Sequence, residues 1–162
     1  GRGNAIEKDS KQCMPMSISK DMGKSWTYYA SEFPSISSGQ RAVILRLNEG
    51  PILFVSFTNK GLLEKTEQPG MVFINSKGEE TTGYGLFAAL SFDEGKTWSK
   101  KKLLTDGEEK LLNGVVWTGL FIMDKNHAEH RGYLAITQSP DNMIHLLSSN
   151  LYYSFNLKWL LE

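Results

Sequence analysis

Two aspartates stand at matching positions of an eight-residue pattern that occurs twice. Residues 19–26 read SKDMGKSW and residues 91–98 read SFDEGKTW. Asp21 and Asp93 are 72 residues apart, and each could act as an acid or bind calcium. A calcium loop needs several oxygen ligands at alternating positions, and each copy offers little beyond one carboxylate and one hydroxyl. The pattern therefore favours a structural role over both kinds of chemistry.

The residue types in this pattern are those of a tight turn between two strands. An Asp side chain can accept hydrogen bonds from N–H groups of its own turn, and a glycine supplies the positive φ that the turn needs. Apolar runs at 14–18 and 86–90 precede the two copies. We predict two β-hairpins in which each Trp is buried between sheets. The residues that define the pattern are Ser19, Asp21, Gly23, Trp26, Ser91, Asp93, Gly95 and Trp98.

Two histidines form a second candidate for chemistry. His127 and His130 are three residues apart in a polar stretch, with Glu129 between them. They could ligate a metal or transfer protons, but loop histidines of this kind more often do neither. We predict no metal and no cofactor. The single cysteine, Cys13, excludes an internal disulfide and is expected to be a small buried side chain.

The composition indicates one domain with a hydrophobic core over residues 1–162. Hydrophobic residues make up 40% of the chain, and its 18 basic and 18 acidic residues balance. This balance disfavours nucleic acid as a partner. No apolar run is long enough to span a bilayer. No signal peptide is visible and the first residue is not Met, so we expect a piece of a longer chain.

Hydrophobic alternation predicts an all-β protein with very little helix. Polar connections separate the strands, and the basic run 100–102 is expected on a solvated strand edge. The predicted strands are residues 14–19, 26–30, 42–47, 52–58, 71–74, 84–91, 98–104, 115–123, 133–138, 143–148 and 151–161.

The repeated pattern resembles the Asp-box, or BNR repeat, of the sialidase-like (neuraminidase) β-propellers. Residues 39–41, 132–135, 143–146 and 154–160 are similar to segments of bacterial members of that family. In the family, the box joins the third and fourth strands of a blade on the face opposite the active site. The resemblance implies a partial β-propeller with four-stranded antiparallel blades.

The length of the chain limits the number of such blades. A blade takes about 40 to 50 residues, and a closed ring needs at least about four blades. The chain therefore supplies about two and a half to three. We expect the C-terminal half of a larger propeller, completed by a missing N-terminal half or, less favoured, by self-association.

The resemblance also implies which residues face a substrate. Arginine forks match a carboxylate, so Arg41, Arg2 and Arg131 are candidates, with solvated loop residues as the alternative. Trp117 could stack on a sugar or pack in the core, and His127 lies in the same group of loops.

The family's nucleophile is a Tyr paired with a Glu. Tyr84 with Glu80 is the candidate pair here, because a nearby carboxylate could take the phenol proton. The alternative is that Tyr84 packs at the start of a strand. The family's acid/base Asp normally comes from the first half of the propeller, so we expect the fragment alone to be inactive.

These residues lead us to expect the C-terminal part of an exo-glycoside hydrolase acting on terminal, including anionic, sugars of glycans. The alternatives are a non-catalytic propeller that binds glycan or protein, and a polysaccharide lyase. The resemblance implies a secreted, periplasmic or cell-surface location. One departure concerns specificity, since Asn150 and Leu151 stand where related closing segments have an Arg and a His.

Overall fold

The computed structural model describes residues 13–59, 69–75 and 77–162. Strands account for 50% of it and helices for 5%, so the all-β class is confirmed. No helix among these residues is long and apolar enough to cross a membrane. The elements are β1 (Cys13–Ile18), β2 (Thr27–Pro34), β3 (Val43–Arg46), β4 (Ile52–Phe57), β5 (Met71–Ile74), β6 (Glu80–Gly83), β7 (Leu86–Ser91), β8 (Lys100–Leu103), β9 (Lys110–Asn113), α1 (Val115–Thr118), β10 (Leu120–Met123), β11 (Leu134–Gln138), β12 (Ile144–Ser148), β13 (Leu151–Phe155) and α2 (Leu157–Leu161).

The largest sheet is an antiparallel meander with the strand order β3–β4–β7–β8. β4 and β7 occupy its centre, and nearly all of their residues are buried. Their almost unbroken apolar sequences suit strands that are covered on both faces. The four strands of this sheet correspond to the predicted strands 42–47, 52–58, 84–91 and 98–104.

The two ends of this sheet carry different connections. Arg46, Ile52 and Ser91 lie side by side at one end. There the second copy of the repeated pattern, residues 91–98, joins β7 to β8. We call residues 19–26 and 91–98 the turn motifs, and this end of the sheet the motif end. The opposite end, where Phe57 pairs with Leu86, is the far end.

A three-stranded sheet, β11–β12–β13, lies beside the first strand of the large sheet. Gln40 and Gly132 form a parallel bridge, and the Arg41 N–H donates to the Gly132 carbonyl at 3.0 Å. At the motif end the Asn48 N–H donates to Gln138 Oε1 at 2.7 Å. β3 and β11 therefore run side by side in the same direction.

Three two-stranded hairpins complete the described fold. β1–β2 packs on the large sheet through Phe33, whose ring lies 4.5 Å from that of Phe54 and 5.2 Å from that of Trp98. The hairpins β5–β6 and β9–β10 lie in the long connections that follow β4 and β8 at the far end. The predicted strand 71–74 is confirmed as β5, and its partner β6 was not predicted.

The prediction of a last strand over residues 151–161 is wrong in its second half. The strand ends at Phe155, and α2 follows. The Asn156 side chain accepts the Trp159 N–H at 2.9 Å and so caps this helix. Aromatic alternation predicted a strand here, but the cap and the burial of Leu160 favour a helical turn.

The predicted strand 115–123 is also wrong in part. The structure has a hairpin, β9–β10, whose strands are joined through α1. Val115 has a φ of 61° and Gly119 a φ of 69°, and both interrupt an extended chain. Similarly, Gly85 with a φ of 108° delays the start of β7 to Leu86.

Candidate functional site

The two turn motifs are held by the same hydrogen bonds. In the second, Asp93 Oδ1 accepts the Thr97 N–H at 2.8 Å, and Asp93 Oδ2 accepts the Thr97 hydroxyl at 2.7 Å. The Ser91 hydroxyl donates to Asp93 Oδ1 at 2.9 Å and accepts the Gly95 N–H at 2.8 Å. The first motif repeats these contacts with Ser19, Asp21, Gly23 and Ser25.

These contacts decide the protonation of both carboxyl groups. The Thr97 N–H and hydroxyl lower the pKa of Asp93 to about 2, and the hydroxyl and N–H of Ser25 lower the pKa of Asp21 to about 2. A carboxylic acid that is ionised far below neutral pH is a poor proton donor at neutral pH. The geometry of the two motifs is thus that of turns fixed by a side chain.

The tryptophans of the motifs differ from each other. Trp98 packs against the core, as predicted. Trp26 was predicted to be buried, and this is wrong, because it is 64% exposed. Its indole N–H donates to the Gly23 carbonyl at 3.1 Å, so the ring covers its own turn instead of reaching a second sheet.

At the far end one stretch of chain carries two of the candidate side chains, His127 and Arg131, and contacts Tyr84 and Gln40. Residues 124–132, which we call the crossing segment, run past the starts of β7 and β3. The Tyr84 N–H donates to the Asn126 carbonyl at 2.8 Å, and the Ala128 N–H donates to the Tyr84 carbonyl at 2.8 Å. The buried Gln40 amide donates to the His130 carbonyl at 2.8 Å. The fold therefore gathers residues that are distant in sequence.

Arg41 lies where β3 and β11 begin. Its guanidinium carbon lies 4.2 Å from the centre of the Tyr133 ring, and Nη2 donates to the Tyr133 hydroxyl at 3.3 Å. Nη1 donates to the Gln40 carbonyl at 2.7 Å. Arginine has five N–H donors, and Arg41 is only partly buried. Held against Tyr133, it can present a preoriented donor group to an anion.

Tyr84 stacks on His127 and not on a glutamate. The two ring centres are 5.2 Å apart with an angle of 14° between the planes. His127 Nδ1 lies 2.9 Å and 3.0 Å from the two carboxylate oxygens of Asp124. Backbone N–H of Asn126 and then the His127 side chain lower the pKa of Asp124. This arrangement can orient the His127 ring for proton transfer.

The predicted pair of Tyr84 with Glu80 is not brought together by any described contact. Glu80 begins β6, and extended backbone separates it from Tyr84. Four residues of strand separate the two Cα atoms by about 13 Å. The catalytic role of the pair stays a prediction.

A buried carboxyl group lies behind these residues. Glu129 is fully buried and accepts the Thr118 hydroxyl at 3.1 Å and the Tyr153 hydroxyl at 2.9 Å. Burial raises the pKa of Glu129 to about 7, and the hydroxyls of Ser148, Tyr153 and Thr118 offset only part of this. Burial and the neighbouring Glu129 also raise the pKa of Tyr153. Glu129 thus joins the crossing segment to α1 and β13.

Four candidates remain, namely Arg131, Arg2, Trp117 and His130. Arg131 is partly buried in the crossing segment, and its carbonyl accepts the Thr118 hydroxyl at 2.7 Å. Arg2 lies outside the described residues. Trp117 belongs to α1, and its side chain lies outside the described part of the structure. His130 is partly buried, and burial, then Arg131, lowers its pKa.

The sequence analysis did not single out Tyr133, Asp124 or Tyr153, which contact Arg41, His127 and Glu129 respectively. The spacing of Asp124 three residues before His127 was a usable signal, since it allows an Asp side chain to bond a histidine in the same turn. Tyr133 and Tyr153 carried no such local signal. Within residues 13–59, 69–75 and 77–162, no group of three or more His, Cys, Asp or Glu is placed to hold a metal.

Comparison with known proteins returned no relative. No protein-family model matches the chain, and no curated protein or solved structure matches it.

Proposed function

We propose that the chain is the C-terminal part of a sialidase-like exo-glycoside hydrolase that acts on terminal, including anionic, sugars of glycans. In this proposal the sheets are blades of a partial β-propeller. β3–β4–β7–β8 is a complete blade, β11–β12–β13 lacks an outer strand, and β1–β2 lacks its inner strands.

The observation that carries the proposal is the position of the second turn motif. It joins the third and fourth strands of a four-stranded meander, as an Asp-box does, and its hydrogen bonds recur in the first motif. A repeated side-chain-fixed turn is the kind of sequence-specific feature that repeat architectures carry. Two copies that share the same four hydrogen bonds are stronger support than composition alone.

The substrate-facing residues would then lie at the far end. Arg41 is the candidate for binding a sugar carboxylate, because Tyr133 holds its guanidinium in place and leaves it partly exposed. His127, which Asp124 orients and which stacks on Tyr84, is the candidate group for acid–base chemistry on the crossing segment. A secreted, periplasmic or cell-surface location is part of this proposal.

A second candidate function is glycan binding without hydrolysis. Two observations favour it. Asn150 and Leu151 occupy the far-end turn between β12 and β13, where the resemblance leads us to expect an Arg and a His. Tyr153 is the tyrosine that does contact a glutamate, and its raised pKa disfavours the phenolate that a nucleophile would need.

The first test compares hydrolysis with binding by the intact protein. We expect release of sugar from sialylated or otherwise capped glycans. Tight glycan binding without release would replace the hydrolase with the non-catalytic binder.

The second test assigns the anion site. Arg41→Ala should weaken binding of N-acetylneuraminic acid by about 2 kcal/mol, or about 30-fold, because it removes a charge-assisted contact. Arg46→Ala is the matched control, since Arg46 lies at the motif end and pairs with Glu94. Equal affinities of the Arg41→Ala protein and the unsubstituted protein in calorimetry would remove Arg41 from the site.

A further inference from the structure

A groove runs along the outer edge of the large sheet. β8 is the last strand in the order β3–β4–β7–β8, and no described strand pairs with its other edge. Lys100 to Leu103 form one wall, the β5–β6 hairpin forms a second, and the end of α2 forms a third. The cavity between these walls has a volume of about 360 Å³. This volume lies within the size range of small-molecule sites.

The groove carries an excess of positive charge. Lys100, Lys102 and Lys125 line it. Lys101 and Asp106 also line the groove, but both are already paired. Lys101 contacts Glu32, and Asp106 contacts Lys110. Glu162 near Lys102 is the remaining acidic side chain of the lining. The balance favours an anionic ligand by charge complementarity.

Lys102 is the most constrained of these lysines. Its Nζ donates to the Trp159 carbonyl at 2.6 Å and lies 4.2 Å from the centre of the Trp159 ring. An ammonium has three donors, and partial burial disfavours its charge unless it is compensated. An anion in the groove would supply that compensation.

The other walls are apolar and exposed. Ile74 is 64% exposed and Leu161 is 41% exposed, and both border the groove. Asn75 and Thr81 add polar groups to the lining. A sugar ring presents apolar C–H faces and hydroxyl groups together, and a uronate or sulfate group adds the charge. The lining matches this combination better than it matches a simple inorganic anion.

We propose that this groove binds an anionic oligosaccharide, with Lys100, Lys102 and Lys125 contacting its carboxylate or sulfate groups. The site is separate from Arg41, which precedes the first strand of the same sheet. Three strand spacings, about 14 Å, lie between the two sheet edges. The inference does not depend on whether the Arg41 site hydrolyses its ligand. A second glycan site of this kind would hold a polymeric substrate near the far end.

The competing explanation is that the lysines only protect an open strand edge. Natural sheets place lysine on edge strands to prevent pairing with other chains. That role needs charge but no bound ligand. If this explanation holds, every polyanion should bind only weakly. Substituting a groove lysine should then reduce the affinity no more than substituting a lysine elsewhere on the surface.

The test is calorimetric titration of the intact protein with defined probes. The probes are a galacturonate hexamer, a heparin-derived hexasaccharide, cellohexaose as the neutral chain, and an all-glutamate hexapeptide. We expect saturable binding of one or both anionic sugars, weakening with added salt, and no binding of cellohexaose. Lys100→Glu with Lys125→Glu should reduce the affinity at least 10-fold, and both side chains are exposed, so folding should be retained.

Lys24→Glu is the control, because Lys24 is exposed in the first turn motif. Arg41→Ala should leave binding in the groove unchanged, which separates this proposal from the proposed function. Equal loss of affinity in the Lys24→Glu protein, binding of cellohexaose, or absence of binding would overturn the proposal. Binding of the glutamate peptide as tightly as the sugars would overturn it in favour of a peptide groove.

Discussion

The carboxylates of Asp21 and Asp93 show how much one side chain can determine. Each accepts an N–H and two hydroxyl groups within its own turn. The ionised form is required for all three contacts, since only the carboxylate accepts them together. The folded pKa is therefore depressed, and the stability that it contributes is present above the ordinary value of 3.8 and lost as the pH falls through about 2.

Thr97→Val tests this account of the second motif. The substitution removes the hydroxyl donor at 2.7 Å and keeps the N–H donor at 2.8 Å. We expect the pKa of Asp93 to rise from about 2 towards 3.8, measured by NMR titration of the carboxyl carbon. Asp21 serves as the internal control and should not change. An unchanged Asp93 titration would show that the hydroxyl contact is not formed in solution.

Glu129 behaves in the opposite way, because its folded pKa is raised. The folded state holds the proton up to about pH 7, whereas the unfolded chain releases it near 4.5. The resulting stabilisation is full below pH 4.5 and is lost as the pH rises through 7. The shift corresponds to at most on the order of 3 kcal/mol.

Glu129→Gln should remove this pH dependence, because glutamine keeps the shape of the protonated acid and cannot ionise. The free energy of unfolding would be measured in urea between pH 4.5 and 8. We expect the unsubstituted protein to lose stability over this range and the variant to lose much less. Parallel curves for the two proteins would contradict the burial of an ionisable Glu129.

At the scale of elements, the strands that local chemistry specifies were predicted well. β1, β3 and β7 end at turns whose residue types are visible in the sequence, such as the glycines of the turn motifs. Elements that depend on distant contacts were not. α2 forms because Asn156 caps it and Leu160 finds a buried place, and neither condition is visible in the aromatic alternation of the last segment.

The candidate site was predicted less well than the strands, for the same physical reason. Arg41 was singled out by residue type, but its partner Tyr133 is 92 residues away. Tyr84 was assigned the nearby Glu80, whereas the fold places His127 against it. Residues that are close in sequence predict turns. The contacts at the far end join residues that are distant in sequence, and the crossing segment brings these residues together.

The close approach of the crossing segment to Gly85 gives an element-scale prediction. A Cβ at Gly85 would lie 2.3 Å from the Ala128 carbonyl oxygen, and its φ is +108°. Gly50 has a φ of +111° and open space around it. Both substitutions to alanine should cost about 1 kcal/mol for the backbone. Gly85→Ala should cost about 1 to 3 kcal/mol more from overpacking.

The measurement is urea unfolding of the two alanine variants side by side. Equal losses of stability would mean that the crossing segment does not press on the start of β7. A larger loss of stability in Gly85→Ala than in Gly50→Ala would support the described close approach to Ala128.

In the molecule as a whole, the short structural turns and the candidate functional residues lie at opposite ends of the sheets. The second turn motif and the hairpin turns of β3–β4 and β11–β12 lie at the motif end, where Asn48 contacts Gln138 and Asn142. The long connections, their two extra hairpins and the crossing segment lie at the far end. Short turns hold the strands together at one end, and long connections can vary at the other without disturbing the core.

Binding of a terminal anionic sugar at the far end can be tested by NMR titration. N-acetylneuraminic acid would be added to ¹⁵N-labelled protein while backbone amide shifts are followed. We expect saturable shifts at Arg41, Tyr133 and His127, with Asp21 and Asp93 unchanged. Shifts confined to the turn motifs, or no shifts at millimolar sugar, would contradict it.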